Sequence, residues 1–124
     1  MNTLYREIIL DHYKHPRNFG RLEKADAVAS DQIVSCGDSI TLYIRTEKSA
    51  NSLEDVRFEG SGCAISIASA SMLTEKSIGA PLFNLKRFGR DDILEMLGIE
   101  LTPTRVKCAL LSLEVLHKAL SKLT

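Results

Sequence analysis

Near the start of the chain, apolar side chains recur at helical spacing: Tyr5, Ile8, Ile9 and Tyr13 fall on one stripe, with Glu7, Asp11 and Lys14 on the opposite side. That period predicts an amphipathic helix. Asn2 or Thr3 can cap it, and Pro16 ends it. Beyond the turn-rich stretch Pro16-Arg17-Asn18-Phe19-Gly20 the period shortens to two, with Ile40, Leu42 and Ile44 set against Thr41, Tyr43 and Arg45. Such alternation predicts a strand with one buried face. Ala27 to Ser35 is expected as an earlier strand, and Leu53 to Glu59, with Val56 and Phe58 on one face, as a later one. The polar link Lys48-Ser49-Ala50-Asn51-Ser52 reads as a turn. With no crossover helix between them, the three strands are expected to form an antiparallel meander.

From Cys63 onward the alternation stops, and Ala64, Ala68, Met72 and Leu73 mark a helix rich in small residues, closed by Gly79 and Pro81. Asp91 or Asp92 starts a short helix that runs through Met96 and stops at Gly98. Thr102 as cap and Pro103 in the first turn open a last helix, with Val106, Leu110, Leu113, His117 and Leu120 near one stripe. The fold class is therefore α+β, a three-stranded antiparallel sheet packed against several helices. With 124 residues and 44% apolar residues, the chain fits one domain, 1–124, with one core.

Charge and cysteine content narrow the chemistry. Lysine plus arginine equals aspartate plus glutamate at 16 each, so no global charge excess draws the chain to nucleic acid or an anionic membrane. No stretch approaches the length of a membrane span. The chain is expected to be soluble and cytoplasmic, a monomer or weak oligomer, with its three cysteines reduced and free for metal or sulfur chemistry.

Each cysteine falls at a junction: Cys36-Gly37-Asp38 between two strands, Gly60-Ser61-Gly62-Cys63 between strand and helix, and Lys107-Cys108 in the opening turns of the last helix. Glycines there allow loops to close tightly on a site. Helix-start amides stabilise negative charge, so Cys63, and Cys108 to a lesser degree, are expected to favour the thiolate, with Lys107 and Arg105 tuning charge in the same direction. Three sulfurs and one carboxylate, Cys36, Asp38, Cys63 and Cys108, can complete a tetrahedral zinc site, and thiolates also hold iron-sulfur clusters. Ligand type does not choose between them. There is no Cys-x-x-Cys pair, so only folding can assemble the set. Gly60-x-Gly62 lacks the Gly-Lys-Ser/Thr of a phosphate loop. His12, His15 and His117, and the serines Ser66, Ser69 and Ser71, are read as packing or surface residues.

In these motifs the chain resembles the iron-sulfur cluster scaffold family of IscU, SufU and the amino-terminal domain of NifU. LYREIILDHYKHPRNFG, SCGD, FEGSGCAISIASASMLTE and RVKCALLSLEVLHKAL are similar to the successive family signatures, in order and over nearly the whole chain. The resemblance implies that Cys36, Asp38, Cys63 and Cys108 bind zinc or a transient [2Fe-2S] cluster. It also implies that a cysteine desulfurase delivers persulfide sulfur to Cys36 or Cys108, that the first helix, Leu4 to Lys14, contributes to docking on the desulfurase, and that the finished cluster passes to apo iron-sulfur recipient proteins.

Two features divide the subtype. Arg105-Val106-Lys107-Cys108 is similar to SufU, whereas SufU proteins resemble a longer template with an insertion between the second and third cysteines that this chain lacks. The chaperone segment of IscU is replaced by Leu101-Thr102-Pro103-Thr104-Arg105. Three readings follow: a non-enzymatic scaffold, a zinc-dependent persulfide sulfurtransferase that stimulates the desulfurase, and a structural zinc domain. The first expects oxygen-sensitive colour and the second colourless, zinc-loaded protein, while stimulation of the desulfurase would exclude the third.

Overall fold

The computed structural model describes residues 3–123. Its frame is set by the period-two segments, which form strands β1 (Ala27–Ile33), β2 (Asp38–Glu47) and β3 (Ser52–Ser61) in one antiparallel sheet of order β1-β2-β3. The register pairs Ile33 with Asp38 across the first turn and Ser39 with Ser61 across the second interface, with an irregularity between Arg45 and Thr46. In β2 the alternation is as expected: Asp38, Ile40, Leu42 and Ile44 are buried, and the residues between them are half-buried.

Helix α1 (Thr3–Lys14) precedes the sheet; α2 (Ala64–Ser77), α3 (Leu82–Arg87), α4 (Arg90–Leu97) and α5 (Pro103–Ser121) follow it. Helices α2 and α5 cover one sheet face, where Ala27, Ala29, Ile40, Leu42, Val56 and Phe58 meet Ala68, Leu73, Ala109, Leu111 and Leu116. Small residues on α2 let the helices approach closely, and Ser69 Oγ donates to the Ala109 carbonyl at 2.7 Å. None of the described helices is long and apolar enough to cross a membrane.

Several expectations are corrected. Asn2 lies outside the described residues, and Thr3 is already helical. In α1 the buried residues are Ile9 and His12, while Tyr5 and Tyr13 are exposed. His12 is drawn inward because its Nδ1 meets Ser71 Oγ at 2.7 Å. Helix α3 is absent from the sequence-based elements; with Leu85 its one buried residue, it is too short to show a period. In α5 the buried face is displaced from the expected stripe: Leu113 and Leu120 are buried but Val106, Leu110 and His117 only half-buried, and the buried face runs through Cys108, Ala109, Leu111, Ser112, Val115, Leu116 and Ala119, because both the sheet and α2 cover it. The α5 start matches its signals: Thr102 accepts from the Arg105 N–H, and Pro103 occupies the first turn. Gly98, in the left-handed conformation, closes α4.

Candidate metal centre

Four chain segments converge at one end of the sheet. The turn between β1 and β2 carries Cys36, held by hydrogen bonds from the Cys36 and Gly37 N–H groups to the Ile33 carbonyl at 3.3 and 2.9 Å. Gly37 adopts φ +73°, which costs little only without a Cβ, and the chain then enters β2 at Asp38. Cys63 is the residue before α2, at the point where β3 ends, and Cys108 lies one and a half turns into α5.

The ligand atoms of Cys36, Asp38 and Cys108 lie within 4.8 Å of one another. Cys63 joins them through Asp38, its Sγ 3.6 Å from Oδ2. The four residues singled out from the sequence therefore share one neighbourhood, although Cys63 stands beside the mutually close trio instead of within it. Burial differs sharply: Cys36 is exposed, Cys63 half-buried, and Asp38 and Cys108 are 1% and 2% exposed.

Asp38 organises the cluster. Its Oδ1 accepts the Cys63 N–H at 3.0 Å and its Oδ2 accepts the Ser66 hydroxyl at 2.5 Å. The first bond caps α2 from another element, since Cys63 makes no side-chain cap bond of its own. Burial alone would raise the Asp38 carboxyl, but hydrogen bonds from Ser66, Cys108 and Cys63 outweigh it and hold the group below its ordinary value. Gly62, at φ +144°, makes room for this carboxylate, because a Cβ there would fall directly on it. Gly60 is similarly required, its missing Cβ pointing at the Ser39 carbonyl.

Cys108 departs from the sequence-based expectation. Burial, then hydrogen bonding and repulsion from Asp38 and Cys63, push its thiol up to about 12, so it keeps its proton. With α5 opening at Pro103, Cys108 lies beyond the free amides of the first turn. Lys107 is exposed on the preceding position, and the groups that move the Cys108 thiol are Asp38 and Cys63. Sequence reasoning also passed over Ser66 as a packing residue. The available signal was its position three residues after Cys63, which puts both on one face of the helix start.

The donor set fits a thiophilic cation. Three sulfurs and one oxygen suit zinc or iron, and the buried pair Asp38 and Cys108 provides the dry side of such a site.

An α+β fold with one antiparallel sheet and a cluster of cysteines and an aspartate at its end defines a class of thiol-rich domains. Within that class, residues 4–124 match the family described as the NifU-like N terminal domain, and the chain belongs to that family. It is 39% identical over 139 aligned positions to a Bacillus subtilis (strain 168) protein named zinc-dependent sulfurtransferase SufU, covering 98% of this chain and 92% of that one. It is 40% identical over 120 positions to the Aquifex aeolicus (strain VF5) iron-sulfur cluster assembly scaffold protein IscU, covering 97% of this chain and 76% of that one. The Bacillus alignment is longer than this 124-residue chain, so that relative carries residues with no counterpart here. Among solved structures, a putative scaffold protein for the SUF system from Fervidobacterium islandicum AW-1 superposes with TM-score 0.76 at 31% identity, over 96% of this chain and 98% of that one. A NifU-like amino-terminal protein from Brucella abortus superposes with TM-score 0.77 at 23% identity, over 98% and 95%, and shares the fold.

Proposed function

We propose that this chain is an iron-sulfur cluster assembly scaffold that accepts sulfur from a cysteine desulfurase, holds a transient [2Fe-2S] cluster and passes it to apo-proteins. The observation that carries this reading is the meeting of Cys36, Asp38 and Cys108 within 4.8 Å, with Cys63 on the same carboxylate. Thiolates are the usual ligands of such clusters, and an oxygen donor holds iron less firmly, which suits cargo that must leave. Exposure favours Cys36 over the buried Cys108 as first sulfur acceptor. Its thiolate would attack the outer sulfur of a desulfurase persulfide, forming a new persulfide here and releasing the desulfurase thiolate. A dithiol reductant, itself oxidised to a disulfide, would then supply two electrons per persulfide, releasing its outer sulfur as sulfide and returning the Cys36 thiol. Leu4, Tyr5, Leu10 and Tyr13 leave apolar surface exposed along α1, of the kind a protein partner covers.

A second reading, a zinc-dependent sulfurtransferase, is supported by the likeness to the Bacillus protein. There, Cys36, Asp38, Cys63 and Cys108 would hold the zinc, which would stabilise thiolate at neutral pH. Protein purified without air and incubated with desulfurase, cysteine, iron and a dithiol reductant separates the two. The scaffold reading expects bound iron, acid-labile sulfide and visible absorption, lost in Cys36→Ser and Cys108→Ser. Colourless protein that retains stoichiometric zinc while accelerating the desulfurase would instead establish the sulfurtransferase.

A further inference from the structure

The Ser66 hydroxyl occupies the centre of the candidate site. It donates to Asp38 Oδ2 at 2.5 Å, lies 3.3 Å from the Cys108 carbonyl oxygen and 3.8 Å from Cys63 Sγ, and is fully buried. One small side chain on α2 thus touches a group from each of three prospective ligand residues, supplied by β2, the α2 start and α5. A serine hydroxyl has one proton to give, and the short distance assigns it to Asp38. The carboxylate is then held at both ends, Oδ1 by the Cys63 N–H and Oδ2 by Ser66. Each oxygen keeps lone-pair capacity for a cation, while rotation of the carboxylate plane breaks one bond or the other.

We infer that Ser66 is a positioning residue: its hydroxyl fixes the Asp38 carboxylate in the orientation in which it ligates a cation together with Cys36 and Cys108. This rests on the metal-binding reading above and goes beyond it by naming a residue outside the ligand set. Outer partners of this kind orient ligands that would otherwise sample several rotamers in a buried site. A mere packing role for Ser66 is a poor account of a fully buried hydroxyl whose strongest bond is to the one carboxylate among the prospective ligands.

The test is a double-mutant cycle on the full chain, measuring zinc affinity by competition with a chromophoric chelator and sulfur ligation by the thiolate charge-transfer absorption of cobalt(II). Ser66→Ala should lower zinc affinity by about tenfold to a hundredfold. In an Asp38→Asn background, where the amide oxygen still accepts the Cys63 N–H, Ser66→Ala should lower it no further. Thermal melts establish that all four proteins are folded at the temperature of measurement. If the unmodified chain binds neither zinc nor cobalt(II) through sulfur, the metal-binding reading falls and this inference falls with it. If the unmodified chain binds and Ser66→Ala matches or exceeds its affinity, the inference alone is overturned. A loss that is equally large in the Asp38→Asn background also overturns it, because Ser66 would then not act through Asp38.

Discussion

At the scale of single residues, the site depends on atoms that are missing as much as on those present. Gly62 combines φ +144° with a Cβ direction blocked by Asp38, whereas Gly37, at φ +73°, has nothing within 4 Å in that direction. Gly62→Ala should therefore cost about 2 kcal/mol or more through strain and collision, and Gly37→Ala about 1 kcal/mol through conformation alone. Urea denaturation midpoints check the ranking, and equal losses would remove the contact argument. Cys108 gives a pH dependence. Its thiol, raised from 9.0 to about 12, is protonated at neutral pH, so a bound cation must expel that proton. Zinc affinity should rise about tenfold per pH unit on account of this proton, and Cys108→Ser should lower the slope of log affinity against pH by about one. Without a cation, the sign for folding is the reverse. The raised value contributes stability in full below 9.0, and it is lost as pH rises towards about 12.

At the scale of elements, one free edge of the sheet carries charged side chains. Strand β1 is an edge, and two lysines reach around to it, Lys118 from the last turn of α5 and Lys122 from the residue that follows the helix: Lys118 Nζ donates to the Ser30 carbonyl at 3.1 Å and Lys122 Nζ to the Val28 carbonyl at 2.6 Å. Lys118 also lies 3.7 Å from the Asp31 carboxylate. Charged side chains on a free edge discourage strand addition. Replacing both lysines by alanine should leave the fold intact and produce concentration-dependent self-association in sedimentation velocity. A variant that sediments as the unmodified chain does would show that another feature guards the edge. Helix α2 works differently, since its buried serines bind it to its neighbours: Ser69 to α5, and Ser71 to His12 of α1.

For the whole molecule, the candidate ligands come from the β1–β2 turn, β2, the α2 start and α5, separated by most of the sheet and three helices in sequence. A cation bound by such a set binds only the folded chain. Zinc at about one hundred times its dissociation constant should add about 2.7 kcal/mol to unfolding stability. Calorimetry with and without zinc measures this, and Cys108→Ser should remove most of the gain.

The sheet and the long helices were legible in the sequence because their causes are local. Ile40, Leu42 and Ile44 alternate since a strand turns successive side chains to opposite faces, and Thr102-Pro103 opens α5 by its own hydrogen bond and fixed φ. The glycines around Cys36 and Cys63 likewise marked where the chain would turn. Packing decided the rest. Which side of α1 faces inward depended on Ser71, 59 residues from His12, and not on the tyrosines that fit the helical period. Ser66 became part of the site only when β2 brought Asp38 beneath α2. Cys108 keeps its proton because burial and two neighbours distant in sequence act on it. Periodicity, capping and turn chemistry are short-range properties of the chain itself, whereas protonation and contact follow from which distant groups the fold places within a few ångströms.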